Sequence, residues 1–294
     1  MKQRRLQERK GNMGGRLLMF LVFLFLYAPI VVLMFFSFNE GNSRTVWKGF
    51  SLVWYQELFS SRLIMQSVYT TLTVALLSTV IATVVGTFAA IGFFNMKKKW
   101  RNPLVVVNNI PMMNADIVTG VSLALFLVAS FQFILQFTTA LNESTGWFPV
   151  VNWTTGFGTL LIAHICFNIP YIILSVTPRL RQMDKHLVDA AQDLGCTWFR
   201  AFYRVILPEL KPGIINGMLI AFTMSVDDFV ISHFTAGTSV STLSMEIYAM
   251  TKRRITPSIN AISTLLFVTV LLLLVIINLR QISQEKAREK GNKG

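Results

Sequence analysis

The chain has 294 residues, of which 53% are apolar and only 14% charged, and it carries 24 phenylalanines. That balance excludes an ordinary soluble domain and points to a polytopic membrane protein. The formal net charge of +13 invites a nucleic-acid partner, and the positions of the charges remove that reading.

Two basic segments, residues 1–15 and 283–294, are expected to be cytoplasmic tails flanking one transmembrane domain, residues 16–282. An apolar stretch of about 20 residues crosses a bilayer as a helix. Such runs begin near Arg16, Ser67, Pro103, Phe157, Gly213 and Ile259, so six spans are predicted. The first, Arg16 to Phe38, is long and lacks a small-residue cleavage site, and therefore reads as a retained anchor rather than a signal peptide. Pro29, Pro111 and Pro170 are expected to kink or break their helices, which membrane interiors tolerate where neighbours satisfy the freed backbone groups. Pro111, five residues before Asp116, is the one linked to a gate.

The basic residues sort by loop. Six precede or open the first span, four follow the second, six lie from Arg179 to Lys211 and five from Arg280 onward, so 21 of 27 share one side of a six-span topology. The positive-inside rule makes that side cytoplasmic, with both termini inside. Arg44, Lys48, Arg62 and the cluster Lys252-Arg253-Arg254 oppose the rule without inverting the topology. The excess charge is topogenic, and no nucleic-acid partner is needed.

Between the fourth and fifth runs lies a polar, helix-forming insert, with Asp189-Ala190-Ala191 near its start and Pro208 at its end. Asp184 is placed to cap a first helix whose Leu187, Ala190, Ala191 and Leu194 share an apolar face. Gly195 stands where a C′ glycine would end that helix. Thr197 is then placed to cap a second helix, and Pro208 to end it. A helix–turn–helix on a membrane loop serves to dock a partner.

This segment resembles the EAA loop of ABC-transporter permeases: Glu-Ala-Ala, three residues, Gly, nine residues, then Ile-x-Leu-Pro. Asp189, Ala190 and Ala191 stand at the triplet, Gly195 at the required offset, and Val205-Ile206-Leu207-Pro208 at the end. Asp189 replaces Glu and Val205 replaces Ile, which keeps charge and shape. In the family this loop fits a groove on the ATPase subunit and carries ATP-driven motion into the membrane helices. The resemblance implies an all-α, six-helix type I ABC importer permease fold, with ATPase coupling carried by Asp189, Ala190, Ala191, Gly195, Leu207 and Pro208. No Walker-A, HExxH or GxSxG pattern occurs, and Cys166, Cys196, His164, His186 and His233 show no metal-ligand spacing. No catalytic residue, cofactor or metal is therefore expected on this chain, and ATP with Mg belongs to a partner ATPase.

The second feature is acid inside the membrane. Of 14 acidic residues, three fall within predicted spans: Asp116 in the third, Asp227 and Asp228 in the fifth. A carboxylate at the bilayer centre costs about 2.5–3.5 kcal/mol, so these are expected to face a protein-lined, wettable interior. Measured from Pro103 and Gly213, Asp116 and Asp227 lie 13 and 14 residues in. At about 1.5 Å per residue both sit some 20 Å from the cytoplasmic face, as one negative layer. Neighbouring helical residues diverge by about 100°, so one of Asp227 and Asp228 is expected to face the pathway and the other a neighbouring helix or subunit. The alternative is structural, with the acids protonated or bonded to Asn114, Ser225 or the Asn108-Asn109 pair. Neither predicted span supplies Lys or Arg to neutralise them. A cationic solute fits that need: one ion pair at 4 Å is worth about 4 kcal/mol at an effective dielectric of 20.

A narrower resemblance follows from Met112 to Val118, Leu187 to Gly195, Ser225-Val-Asp-Asp-Phe229 and Trp54-Tyr55 in the first external loop. These are similar to the second permease subunit of spermidine/putrescine ABC importers, along most of the chain. The resemblance implies a polyamine pathway of Trp54, Asp116, Ser225, Asp227 and Asp228, and cation–π attraction adds Tyr55 as a candidate. Tyr171, Trp147 and Trp153 read as interfacial aromatics. The implied partners are a homologous permease, an ATPase dimer, an extracytoplasmic polyamine-binding protein and the lipid bilayer of a bacterial inner membrane. Two alternatives stay open. One is an importer of another solute, such as iron chelate, thiamine or an inorganic anion. The other is an intramembrane aspartyl protease, whose Gly-x-Gly-Asp and Tyr-Asp signatures are absent.

Overall fold

The computed structural model describes residues 2–41, 46–145, 149, 154–184, 186–253 and 257–291. Arg44, Trp147, Trp153, Lys185 and Arg254 lie outside them. Among the described residues the chain is helical, apart from an isolated bridge between Asn39 and Phe50. In chain order the helices are α1 (Lys2–Phe36), α2 (Val53–Ser60), α3 (Arg62–Asn95), α4 (Lys98–Met113), α5 (Asp116–Thr145) and α6 (Phe157–Gln182). Then come α7 (His186–Asp193), α8 (Trp198–Ala201), a π-helical turn (Phe202–Ile206), α9 (Leu207–Asp227), α10 (Val230–Thr235), α11 (Leu243–Arg253) and α12 (Ser258–Gly291).

Six stretches are long and apolar enough to cross a bilayer: Gly14–Phe36, Arg62–Asn95, Asp116–Ser144, Phe157–Gln182, Trp198–Asp227 and Ser258–Val275. The number agrees with the hydropathy of the sequence, but two spans begin elsewhere than expected. The apolar run from Pro103 is not one helix. Pro111 has no N–H to bond back along α4, and three residues later Asn114 turns extended (φ −79°, ψ 156°). The carbonyl of Ala115 then starts a new helix by accepting from the N–H groups of Val118 and Thr119. Asp116 is therefore the first residue of its span, not a residue deep inside one.

The fifth span departs in the opposite sense. Pro208 does not end the second helix of the insert, because the chain runs helically from Trp198 to Asp227 without interruption. The π turn at Phe202–Ile206 precedes the proline, and Pro208 falls in the first turn of α9. A wider turn moves the preceding carbonyls off the proline ring, and a first-turn position needs no backbone N–H. The run of 30 residues is about 45 Å long at 1.5 Å per residue.

The chain divides into two compact units, Met1–Arg62 with Ile247–Leu271 and Leu63–Glu246 with Leu272–Gly294. In the first, the apolar window of α1 is 0% buried, so its surroundings must themselves be apolar. The second is organised around α6. Gly213 and Gly217 of α9, one turn apart, bring that helix close. A Cβ at Gly213 would stand 3.0 Å from the Ser175 carbonyl oxygen, and one at Gly217 3.2 Å from Ile172 Cα. Gly86 of α3 admits the same side chain from another direction, since its Cβ would lie 2.8 Å from that of Ile172. Small residues at such crossings are how membrane helices gain dispersion contact without a hydrophobic driving force. Ala82, Ala90, Ile172, Val176, Leu180, Leu210 and Ala221 complete this core.

Candidate functional site

The helix–turn–helix insert forms as its residues suggest at the first turn. Asp184 Oδ1 accepts the His186 backbone N–H at 3.0 Å and caps α7. At the other end Gly195 adopts φ +83°. Its N–H donates to the Gln192 carbonyl at 2.8 Å, and the Cys196 N–H to the Ala191 carbonyl at 3.0 Å. Those two bonds are a Schellman motif, which requires the left-handed residue that glycine supplies. Thr197 stands at the N-cap of α8 in extended conformation, although its side chain makes no capping bond. Asp189, Ala190 and Pro208 are exposed, while Ala191 and Leu207 are half-buried. Apolar side chains surround them in the open: Leu194 is 87% exposed, Trp198 57% and Phe199 65%. Asp189 and Trp198 also border a cavity of about 480 Å³ with Arg101 and Leu180.

The acids occupy helix ends. Asp116 opens α5, where the helix dipole favours a carboxylate by about 0.3–1 kcal/mol. Asp227 closes α9, where the dipole and the unpaired carbonyls are negative and the same term opposes it. Both residues are exposed, and Asp227 lies within electrostatic reach of Asp116 and Asp228. Tyr171 of α6, read from sequence as an interfacial aromatic, is within reach of Asp116. Asp227 therefore sits at an unfavourable helix end with two other carboxylates within electrostatic reach.

Asp227 and Asp228 part because the helix stops between them, with Asp228 extended at φ −63°, ψ 125°. Asp228 turns inward. Its Oδ1 accepts the Ile231 N–H at 3.3 Å, and its Oδ2 accepts the Ser232 N–H at 2.7 Å and the Ser232 hydroxyl at 2.8 Å. These bonds cap the start of α10. His164 Nε2 lies 3.7 Å from the same oxygen. Asp227, at the end of α9, is the more exposed acid of the pair.

Beneath the break lies a buried polar network. Asn168 Nδ2 donates to the hydroxyls of Ser225 at 2.8 Å and Ser78 at 3.2 Å. His164 Nδ1 meets Ser225 Oγ at 3.1 Å, and its Nε2 meets Ser232 Oγ at 3.1 Å. His164 is 1% exposed and Asn168, Ser78 and Ser232 are 0%. Ser225, singled out as a pathway residue, is 3% exposed and belongs to this network. The sequence held one signal for the histidine and asparagine: His164, Asn168 and Tyr171 recur at helical spacing along an apolar span.

Trp54 and Tyr55 serve the loop that carries them. Trp54 is buried, its indole N–H donating to the Asn39 carbonyl at 2.7 Å. Asn39 also bonds Val46 and Lys48 through its side chain. The Tyr55 hydroxyl meets Ser37 Oγ at 2.8 Å, and its ring packs on Phe38 with centroids 5.2 Å apart.

Residues 82–288 match the family described as binding-protein-dependent transport system inner membrane component. The chain belongs to that family. It is 34% identical over 259 residues to the spermidine/putrescine transport system permease protein PotC of Haemophilus influenzae, covering 88% of this chain and 92% of that one. It is 35% identical over 250 residues to the putrescine transport system permease protein PotI of Escherichia coli K12, covering 85% and 84%. In fold it is similar to a bacterial ABC transporter involved in the import of the acidic polysaccharide alginate. The TM-score is 0.65 at 15% identity, over 96% of this chain and 99% of that one. The inward-facing MetNI methionine ABC transporter gives 0.54 at 18% identity, over 75% and 95%. The fold is that of ABC importer permeases, and the chain is a multi-pass transport subunit rather than an enzyme.

Proposed function

We propose that this chain forms half of the pore of an ATP-driven polyamine importer in a bacterial inner membrane, with both termini cytoplasmic. A homologous permease forms the other half. An ATPase dimer holding ATP and Mg docks on the insert, and an extracytoplasmic binding protein delivers spermidine or putrescine. The observation that carries this reading is the pair of exposed carboxylates, Asp116 and Asp227, at helix ends and within electrostatic reach of each other, with no Lys or Arg from Asp116 to Ser144 or from Gly213 to Asp227. The names of the relatives support the substrate class.

The unbroken helical run from Trp198 to Asp227 gives the mechanism a mechanical link. One end lies in the exposed coupling segment, and the other end is the acid. A push delivered at α7 and α8 moves Asp227 without passing through a flexible loop, and the π turn is the place where that lever can bend. Coupling falls to Asp189, Ala190, Ala191 and Gly195 at the docking end, and to Leu207 and Pro208 just beyond the bend. Asp116, Asp227 and the ring of Tyr171 receive the ammonium groups. Ser225 and Asp228 support the break from below, and Trp54 and Tyr55 hold the shape of the external loop.

The test is radiolabelled spermidine uptake by the reconstituted four-component complex. Asp227→Asn and Asp116→Asn are expected to lose uptake while assembly and basal ATP hydrolysis persist. Wild-type uptake at equal expression in both variants would return these acids to a structural role. Failure of unlabelled polyamine to compete would shift the substrate to another solute.

A further inference from the structure

We infer that His164 is a positioning residue: its ring ties the end of α9 to the start of α10 across the break, and through that tie sets where Asp227 presents its carboxylate. The assignment rests on the polyamine reading for the role of Asp227, while the tie itself rests on geometry alone.

The directions of the hydrogen bonds follow from the proton count. Ser232 has one hydroxyl proton, which it donates to Asp228 Oδ2. Its oxygen must then accept from His164, so the ring carries its proton on Nε2. In the neutral ring Nδ1 is left as an acceptor and takes the hydroxyl proton of Ser225. Ser225 in turn accepts from Asn168. The result is a single-direction chain from Asn168 through Ser225, His164 and Ser232 to the Asp228 carboxylate. Aligned chains of this kind strengthen each member, and removing one member leaves buried groups without partners.

The placement of the two serines gives the ring its role. Ser225 lies two residues before Asp227, in the last turn of α9, and Ser232 lies four residues after Asp228, inside α10. Both of the ring's bonds are 3.1 Å. A shift that separates the end of α9 from α10 lengthens at least one of them. Helix α9 ends on the acid at an unfavourable pole of its own dipole, so this tie is what keeps that end from unwinding or turning away. A carboxamide also offers a donor nitrogen and an acceptor oxygen, which makes glutamine the conservative replacement and leucine the disruptive one.

Two measurements on the assembled complex in nanodiscs test the tie. The first is hydrogen–deuterium exchange over residues 228–236, which involves no substrate. His164→Leu and Ser232→Ala are expected to raise exchange there at least tenfold, with His164→Gln close to wild type and Asp227→Asn without effect. The second is uptake kinetics. His164→Leu is expected to raise the KM for spermidine about tenfold at unchanged basal ATP hydrolysis, and His164→Gln to restore most of the loss. Unchanged exchange in His164→Leu and Ser232→Ala overturns the tie. Equal losses of Vmax in the Leu and Gln variants, with KM untouched, overturn the positioning role and leave the ring as packing. If the wild-type complex imports no polyamine, the functional reading fails while the exchange measurement still decides the tie. Should His164→Leu not assemble, Ser232→Ala carries both measurements.

Discussion

The exposed helix–turn–helix insert and the floor of the helix break invert ordinary protein architecture in opposite ways. From Leu194 to Tyr203 the chain leaves leucine, tryptophan, phenylalanine and tyrosine in the open. Around His164 it buries serine, asparagine and histidine completely. The first arrangement is costly for an isolated chain and makes sense as half of an interface, because large exposed apolar patches mark partner contacts. In the second the side-chain donors find acceptors within the chain, although the buried Asn168 Oδ1 has no partner. In hydrocarbon, where helix packing has no hydrophobic drive, such bonds help decide which helices meet. One region presents its apolar groups outward, and the other meets most of its polar needs inside the chain.

The difference is sharpest for substitutions that exchange polarity. Leu194→Asp combined with Trp198→Asp is expected to leave the folded subunit within about 0.5 kcal/mol of wild type, as surface changes usually do. Retention of the ATPase on copurification is expected to fall more than 100-fold, about 2.8 kcal/mol of association at 1.4 kcal/mol per decade. Asn168→Leu is expected to do the reverse. It removes the donor to Ser225 and Ser78 and should cost about 1–3 kcal/mol of stability, seen as a lower unfolding temperature in detergent, with ATPase retention unchanged. Normal ATPase retention by the double variant would mean that the exposed aromatics are not the docking face.

Gly195 tests the same comparison at a smaller scale. Its φ of +83° costs a side-chain-bearing residue about 1–2 kcal/mol. A Cβ there meets nothing within 4 Å, so only the backbone objects. Gly195→Val is expected to loosen the Schellman turn and to reduce substrate-stimulated ATP hydrolysis severalfold, with Gly195→Asn intermediate because asparagine tolerates the left-handed region. Equal activity in all three proteins would show that the turn contributes nothing to coupling.

Most of the architecture was legible because it is written in composition and spacing. Six apolar runs, a glycine at one offset and aspartates where lipid would reject them can all be read along a line. What was hidden depends on hydrogen bonds. Hydropathy reads one apolar run starting near Pro103, and only the missing N–H of Pro111 and the extended Asn114 divide it. Pro208 looked like a terminator because a proline within an α-helix clashes with the carbonyl four residues earlier, and a π turn removes that clash. His164 was counted only as a failed metal ligand, since its partners Ser225 and Ser232 are 61 and 68 residues away in sequence. Which aspartate turns inward was likewise undecidable from a 100° rule, because the helix ends between the two.

The smallest expected effect concerns the other break. Pro111→Ala restores one backbone N–H to α4, a bond worth about 0.5–1.5 kcal/mol net. That gain favours extending α4 toward Asn114 but does not by itself refold Ala115, whose carbonyl already accepts from Val118 and Thr119. The two breaks therefore differ in what maintains them. The one after α9 is held from outside by a histidine, while the one before α5 is held locally by a proline and by the first bonds of the next helix. If the proline sets the hinge of a gate, uptake by Pro111→Ala is expected to fall two- to fivefold at constant assembly, because Asp116 lies five residues beyond that hinge. Unchanged transport together with unchanged basal ATP hydrolysis would remove Pro111 from the gate and leave Ala115 and the α5 N-terminus sufficient to place Asp116.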